Sequence, residues 1–139
     1  MLETAENITN PSSLNGLSLA FLGDSVYEVL VREYLLRDGS TQVAKLQKAS
    51  VSIVRASAQA YFYDIIEPLL TEEEHSILLR GRNTSSTHIP KSAKAIEYRK
   101  ATGMESLFGW LYLNGQNDRL REIFNIIIEN IPEKVNEIE

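Results

Sequence analysis

Apolar residues return along this chain at intervals of three and four, and nowhere do β-branched residues alternate with polar ones. That periodicity leaves one fold class, an all-α helical bundle, and 139 residues fit a single domain. Residues 1–13 are polar, contain Pro11 and read as a loose lead-in. A helix is predicted from Leu14 to Leu36, with Leu14, Leu17, Phe21, Val31 and Leu35 on one face and Asp38-Gly39-Ser40 as its stop. Thr41 is placed to cap a helix from Val43 to Ile66, whose small residues Ala49, Ser50, Ser52, Ala56, Ser57, Ala58 and Ala60 invite close approach by a neighbour. Pro68 ends it. Thr71-Glu72-Glu73-Glu74 matches a capping box for a short helix ending near Gly81. Arg82 to Pro90 has loop composition, Ser92 is placed to cap a long helix to Leu113, and Asn114-Gly115 forms a turn. Asp118 to Asn130 is the last amphipathic helix. The expected division is therefore a lead-in over 1–13, a helical domain over 14–131 and an acidic tail over 132–139.

Several function classes are excluded early. No apolar run approaches the ~18 residues of a membrane span, and the start lacks the basic-then-apolar pattern of a secretory signal. Cysteine is absent, which removes disulfides, thiolate zinc sites and a cysteine nucleophile, and fits a reducing cytoplasm as the expected location. The net charge of −5 argues against nucleic acid until its distribution is read. From Arg80 to Lys100 there are six bases (Arg80, Arg82, Lys91, Lys94, Arg99, Lys100) and one acid, Glu97, so this segment is +5 and the remainder −10. A local basic patch, more than total charge, governs phosphate binding. A solvated helix face beside a basic loop would have the same composition.

Two carboxylates stand alone in apolar surroundings. Asp24 is the single charge in LNGLSLAFLGDSVY, residues 14–27, and Glu105 the single charge in ATGMESLFGWLYLNG, residues 101–115. Helical spacing puts Asp24 on the stripe Leu17, Phe21, Val31, and Glu105 on the face of Ala101, Phe108 and Tyr112. A buried carboxylate needs a base, hydrogen bonds or a cation. Asp24 is open to a second role, as helix N-cap after Gly23, because Ser25 to Glu28 also reads as a capping box. Glu105 lies mid-helix and cannot be a cap; a neighbouring base or a metal ion would satisfy it.

Leu19-Ala20-Phe21-Leu22-Gly23-Asp24-Ser25-Val26 resembles the first acidic helix of ribonuclease III catalytic domains. Glu105-Ser106-Leu107-Phe108-Gly109-Trp110-Leu111-Tyr112-Leu113 resembles that family's second acidic helix, and Leu79-Arg80-Gly81-Arg82-Asn83 the entrance to the preceding loop. Order and spacing agree over about residues 14–130. The chain stops where the larger enzymes continue into a double-stranded-RNA-binding domain, and so resembles the Mini-III ribonucleases of bacteria. The resemblance implies a homodimeric, magnesium-dependent endoribonuclease acting on double-stranded RNA, notably the stems of 23S ribosomal RNA precursors, with Mn²⁺ able to replace Mg²⁺. It also leaves room for a ribosomal protein on the substrate as a partner.

By register, two of the family's four acids are replaced here, one by Ala20 and one by Thr102. Asp24 and Glu105 are then the catalytic metal ligands, a set Mg²⁺ tolerates because it keeps waters and takes substrate oxygens. Glu28 is a weaker candidate, acting through water. RNA duplexes are gripped through phosphates and 2′-hydroxyls, and Arg80, Arg82, Asn83, Thr84, Ser85, Ser86, Lys91 and Lys94 are the expected contacts. Charge reversal at Arg82 is expected to weaken RNA binding at little cost in stability. Of the histidines, His75 is expected at the surface and His88 in the basic loop. Three rivals stay open on the sequence alone: a non-catalytic dimeric RNA-binding module, a metal-dependent nucleotide hydrolase and a purely structural helical protein.

Overall fold

A computed structural model describes residues 10–39, 42–84 and 94–132. Six α-helices account for most of them: α1 (Gly16–Leu35), α2 (Val43–Val54), α3 (Ala56–Ile66), α4 (Glu72–Arg82), α5 (Lys94–Leu113) and α6 (Asn117–Glu129). Two 3-10 turns, Pro11–Ser13 and Glu67–Leu69, complete the path, and no strand occurs among the described residues. No helix is long and apolar enough to cross a membrane among the residues described.

Local chemistry sets most of the boundaries. Asn15 starts α1, its Oδ1 accepting the Ser18 N–H at 2.8 Å. Thr71 and Glu74 complete the capping box of α4: the Thr71 hydroxyl accepts from Glu74 N at 3.2 Å, and Glu74 Oε1 from Thr71 N at 2.9 Å. Gly39 and Gly115 take the positive φ angles, 79° and 69°, that end α1 and turn the chain between α5 and α6. Thr41 and Ser92, expected as caps, lie outside the described residues.

Three expectations are corrected. The helix from Val43 to Ile66 is two helices, because Arg55 adopts an extended conformation (φ −63°, ψ 156°) and breaks the ladder between α2 and α3. The small residues of α2 receive no broad helix contact either, since only Ser50 and Ile53 of that helix are buried. On α1 the face carrying Leu17 and Phe21 is exposed, Phe21 to 84 %, and the buried face runs through Leu19, Ala20, Gly23, Val26, Tyr27, Leu30 and Val31.

The core gathers around α5. Leu107, Phe108 and Leu111 are fully buried there, against Leu19, Tyr27 and Val31 of α1, Phe62 and Ile66 of α3, Leu78 of α4, and Leu120 and Ile123 of α6. Tyr27 stands edge-on to Phe108 and Phe124, at centroid distances of 5.3 and 6.1 Å. Its hydroxyl donates to the Ile53 carbonyl at 3.0 Å, a polar tie of α2 to the core. One buried ion pair fastens α4 to α6. Arg119 donates from Nη2 and Nε to the two oxygens of Glu74 at 2.8 and 2.9 Å, and also pairs with Glu122. Burial alone would raise the Glu74 pKa, but the Arg119 and Thr71 hydrogen bonds more than offset it and hold the carboxyl below its usual range.

Candidate active site

Missing side chains bring α1 and α5 together. A Cβ on Gly23 would overlap the carbonyl oxygen of Glu105 and stand 2.8 Å from Gly109 N; one on Gly109 would overlap the Leu19 carbonyl. The two backbones therefore meet at a glycine-to-glycine crossing that no larger residue permits. Ser106 lies at the same level, fully buried, its hydroxyl within hydrogen-bonding distance of Gly16 O (2.7 Å) and Thr102 O (2.8 Å).

Asp24 follows Gly23 directly, so this crossing carries its carboxyl to Glu105. The two side chains are close enough to share a hydrogen bond. Asp24 lies in the interior of α1, eight residues past its start at Gly16, so the N-cap role falls to Asn15. It is also exposed rather than buried, because it shares the outward face of Leu17 and Phe21. Glu105 is half-buried beneath it. Burial, then the charge of Asp24 and the hydrogen bond with it, push the Glu105 carboxyl up to about 8, against a smaller opposing hydrogen bond from Gln59. Among the described residues no lysine, arginine or histidine forms an ion pair with Glu105.

Two like charges with no base between them retain a proton or attract a cation. The donors here are oxygens alone, which suits a hard divalent ion such as Mg²⁺ or Mn²⁺. A third oxygen is at hand. Gln59, 3 % exposed, touches Glu105 through its amide, and its Oε1 is buried without a partner. Thr102, at one of the substituted positions, turns its hydroxyl to its own helix, donating to Tyr98 O at 2.9 Å. Ala20, at the other, is buried. No group of three or more acids and histidines assembles among the described residues. Glu28, one turn beyond Asp24, is engaged with Arg32 (3.3 Å) and the Ser50 hydroxyl (3.4 Å).

The expected RNA contacts separate into distinct groups. Arg82 and Asn83 line an open cleft of about 300 Å³ together with Ile96, Arg99 and Lys100. Arg80 points elsewhere, donating from Nη1 to Ser12 O at 2.6 Å and Leu14 O at 3.0 Å, and so straps the first turn of the chain to α4. The Thr84 hydroxyl closes α4 on the Arg80 carbonyl at 2.8 Å. Lys94 is exposed at the start of α5, while Ser85, Ser86, Lys91 and His88 lie outside the described residues. Arg82 belongs to α4 rather than to a loop, and its Nη1 donates to the Tyr63 hydroxyl at 3.2 Å. Lys100 faces the same ring, 5.4 Å from its centroid, and pairs with Asp64 at 2.6 Å. His75 is partly exposed and paired with Glu67 at 3.1 Å.

Gln59, Arg99 and Lys100 were missed as site residues by sequence reasoning. The two bases were visible as part of the +5 segment; Gln59 showed only as a polar residue in a run of Ala and Ser. Because Gln59 and Tyr63 are one turn apart on α3, the acids and the cationic cleft are joined by a single helix face, about 6 Å along its axis.

Residues 17–116 match the family described as the Ribonuclease III domain. The chain is similar to Mini-ribonuclease 3 of Clostridium tetani, at 43 % identity over 83 % of this chain and 77 % of that protein. Similarity to Mini-ribonuclease 3 of Symbiobacterium thermophilum is 45 %, over 84 % and 89 % of the two chains. With the Mini-ribonuclease 3 of a Thermoanaerobacter species it is 41 %, over 95 % and 94 %. A crystal structure of a Fusobacterium nucleatum protein superposes with a TM-score of 0.77 at 35 % identity, over 85 % of this chain and 96 % of the other.

Proposed function

Because the chain belongs to the ribonuclease III family, as an endoribonuclease of the Mini-ribonuclease 3 group, we propose that it cleaves double-stranded RNA at a magnesium site held by Asp24 and Glu105. The family acts on double-stranded RNA and typically dimerises. The substrate we assign, a stem of the 23S ribosomal RNA precursor, is the one the resemblance of its two acidic motifs implies.

One observation carries this reading. Asp24 and Glu105 converge with no base paired to Glu105 among the described residues, and its proton is held up to about 8. A bound divalent cation supplies charge neutralisation on the phosphate and an activated water. The protein's part is to hold both carboxylates on a rigid helix crossing and to release the Glu105 proton when the cation arrives. Arg82, Arg99 and Lys100, one α3 turn away, are placed to take neighbouring phosphates, with Asn83 as a neutral donor. The exposed Leu17 and Phe21, on the face of Asp24, form the apolar surface for the second copy, which would set two sites along one duplex.

The rivals lose their footing on particular residues. A nucleotide hydrolase would need the Glu72–Glu74 run as ligands, but Glu74 is buried against Arg119. A purely structural role for Glu105 would need a buried base, and among the described residues it pairs with none. The test is cleavage of a purified RNA duplex in Mg²⁺ with end-mapping. Asp24→Asn and Glu105→Gln should each slow cutting at least about a hundredfold, the scale on which a charge-stabilising group matters, while staying folded. Parental rates in both variants would overturn the assignment.

A further inference from the structure

The break between α2 and α3 has a consequence for the acids. Ending α2 at Val54 leaves the Val54 carbonyl outside the helical ladder, and Gln59 Nε2 donates to it at 2.8 Å. The same side chain lies close enough to the Glu105 carboxyl to favour its ionised form. A carbonyl only accepts, so the Val54 bond fixes which end of the amide is the nitrogen. Its other end, Oε1, is then buried without a partner, in a side chain only 3 % exposed. A buried acceptor left unmade keeps the full cost of its lost hydration. Gln59 thus has a donor held by the Val54 carbonyl and an acceptor that meets no partner among the described residues.

We propose that Gln59 is a positioning residue of the metal site: Nε2 fixes the Glu105 carboxylate, and Oε1 accepts a hydrogen bond from water carried by the bound cation. This rests on the reading of Asp24 and Glu105 as metal ligands. It accounts for how a site with Ala20 and Thr102 in place of two acids keeps an ordered ion: a neutral oxygen orients the ion's water without adding charge. Partners of this kind typically change metal affinity by about 10–100-fold.

The experiment is Mn²⁺ binding to the RNA-free protein, followed by titration calorimetry and by the Mn²⁺ paramagnetic resonance signal. Gln59→Met keeps the length and volume but neither polar end, and should weaken Mn²⁺ binding by at least about tenfold. Gln59→Glu keeps an acceptor oxygen and should bind Mn²⁺ at least as well as the parent, with a steeper dependence on pH. Ile127→Ala, a core change on α6, serves as the control for general destabilisation and should bind as the parent does. A folded Gln59→Met variant with parental Mn²⁺ affinity overturns the proposal. So does a Gln59→Glu variant that binds more weakly than the parent, which keeps the test decisive if the Met variant does not fold. Glu105→Gln separates the two failures. If it too binds Mn²⁺ as the parent does, the metal site itself is wrong; if it loses the ion while Gln59→Met keeps it, only the role of Gln59 is wrong.

Discussion

The side chain that Gly23 lacks would occupy the space of the Glu105 carbonyl oxygen. Helix packing and the approach of the two acids are therefore one event, since Asp24 follows Gly23 in sequence. Gly23→Ala forces backbone against backbone, where no rotamer change relieves the clash. We expect a loss of about 3 kcal/mol in urea unfolding, and a larger loss of cleavage than unfolding explains, measured where the variant is still mostly folded. Parental activity per folded molecule would show that the crossing does not position Asp24.

The raised pKa of Glu105 sets a pH dependence with a definite sign. Its folded value of about 8 lies above the ordinary carboxyl value of 4.5, so its contribution to stability is complete below about 4.5 and is lost as pH rises to about 8. Metal-free protein should lose melting temperature over that window through this group, and Glu105→Gln should flatten the loss. Added Mg²⁺ should restore most at the alkaline end, where the ligand is already ionised. Thermal melts in chelator and in Mg²⁺, from pH 5 to 9, decide it.

Arg119 is the only described cation paired with buried Glu74. Arg119→Met strands that carboxylate, and a loss of about 3 kcal/mol or more follows from breaking a buried pair. The pKa of Glu74 is held low, so the pair's stabilisation is present above the unfolded value and fades as pH falls through the folded one. The variant should accordingly be closest to the parent in acid. A uniform deficit at every pH would assign the loss to packing.

The cationic cleft makes its own prediction. Arg99→Ala and Lys94→Ala should weaken duplex RNA binding, each lowering the salt slope by about 1 if it holds one phosphate. Arg82→Ala should do the same and also cost stability, because Arg82 bonds the Tyr63 hydroxyl. Its effect on melting temperature, against none for Arg99→Ala, distinguishes the two.

Phe21→Asp removes the most prominent exposed apolar side chain on the Asp24 face. Sedimentation should show a dimer for the parent and a monomer for the variant, with the melting curve of the monomer fold little changed, since the residue is 84 % exposed. A variant that stays dimeric places the self-contact elsewhere.

What could be read in advance follows physical lines. Caps and turns were legible because they depend on a few adjacent residues: Thr71 with Glu74, Gly39, Gly115. The meeting of Asp24 and Glu105 was legible because two isolated acids in apolar frames need a common explanation. The phase of α1 was not. Residues 14–22 are apolar on nearly every side, and periodicity cannot tell a face that meets the core from one left at the surface, so the exposure of Leu17 and Phe21 is not written in their spacing. Nor was the break at Arg55, where no proline or glycine stands and only tertiary packing bends the chain. Gln59 was hidden for the same reason, since its partners Val54 and Glu105 come together only through that break. The bonds of Arg80 to the Ser12 and Leu14 carbonyls were not legible either, because those acceptors are far away in sequence.

The thin burial of α2 has a kinetic meaning. Only Ser50 and Ile53 of this helix are sheltered, whereas ten residues of α5 are. Free energies of local opening follow such differences in burial. In heavy water the amides of α2 should therefore exchange long before those of α5, in openings that leave the remainder folded. The chain then consists of a slow-exchanging frame, built on the α1–α5 crossing and holding both acids, and a fast-breathing arm hinged at Arg55. Because the two acids sit at the α1–α5 crossing and not on that arm, it can open and close many times without moving the carboxylates apart.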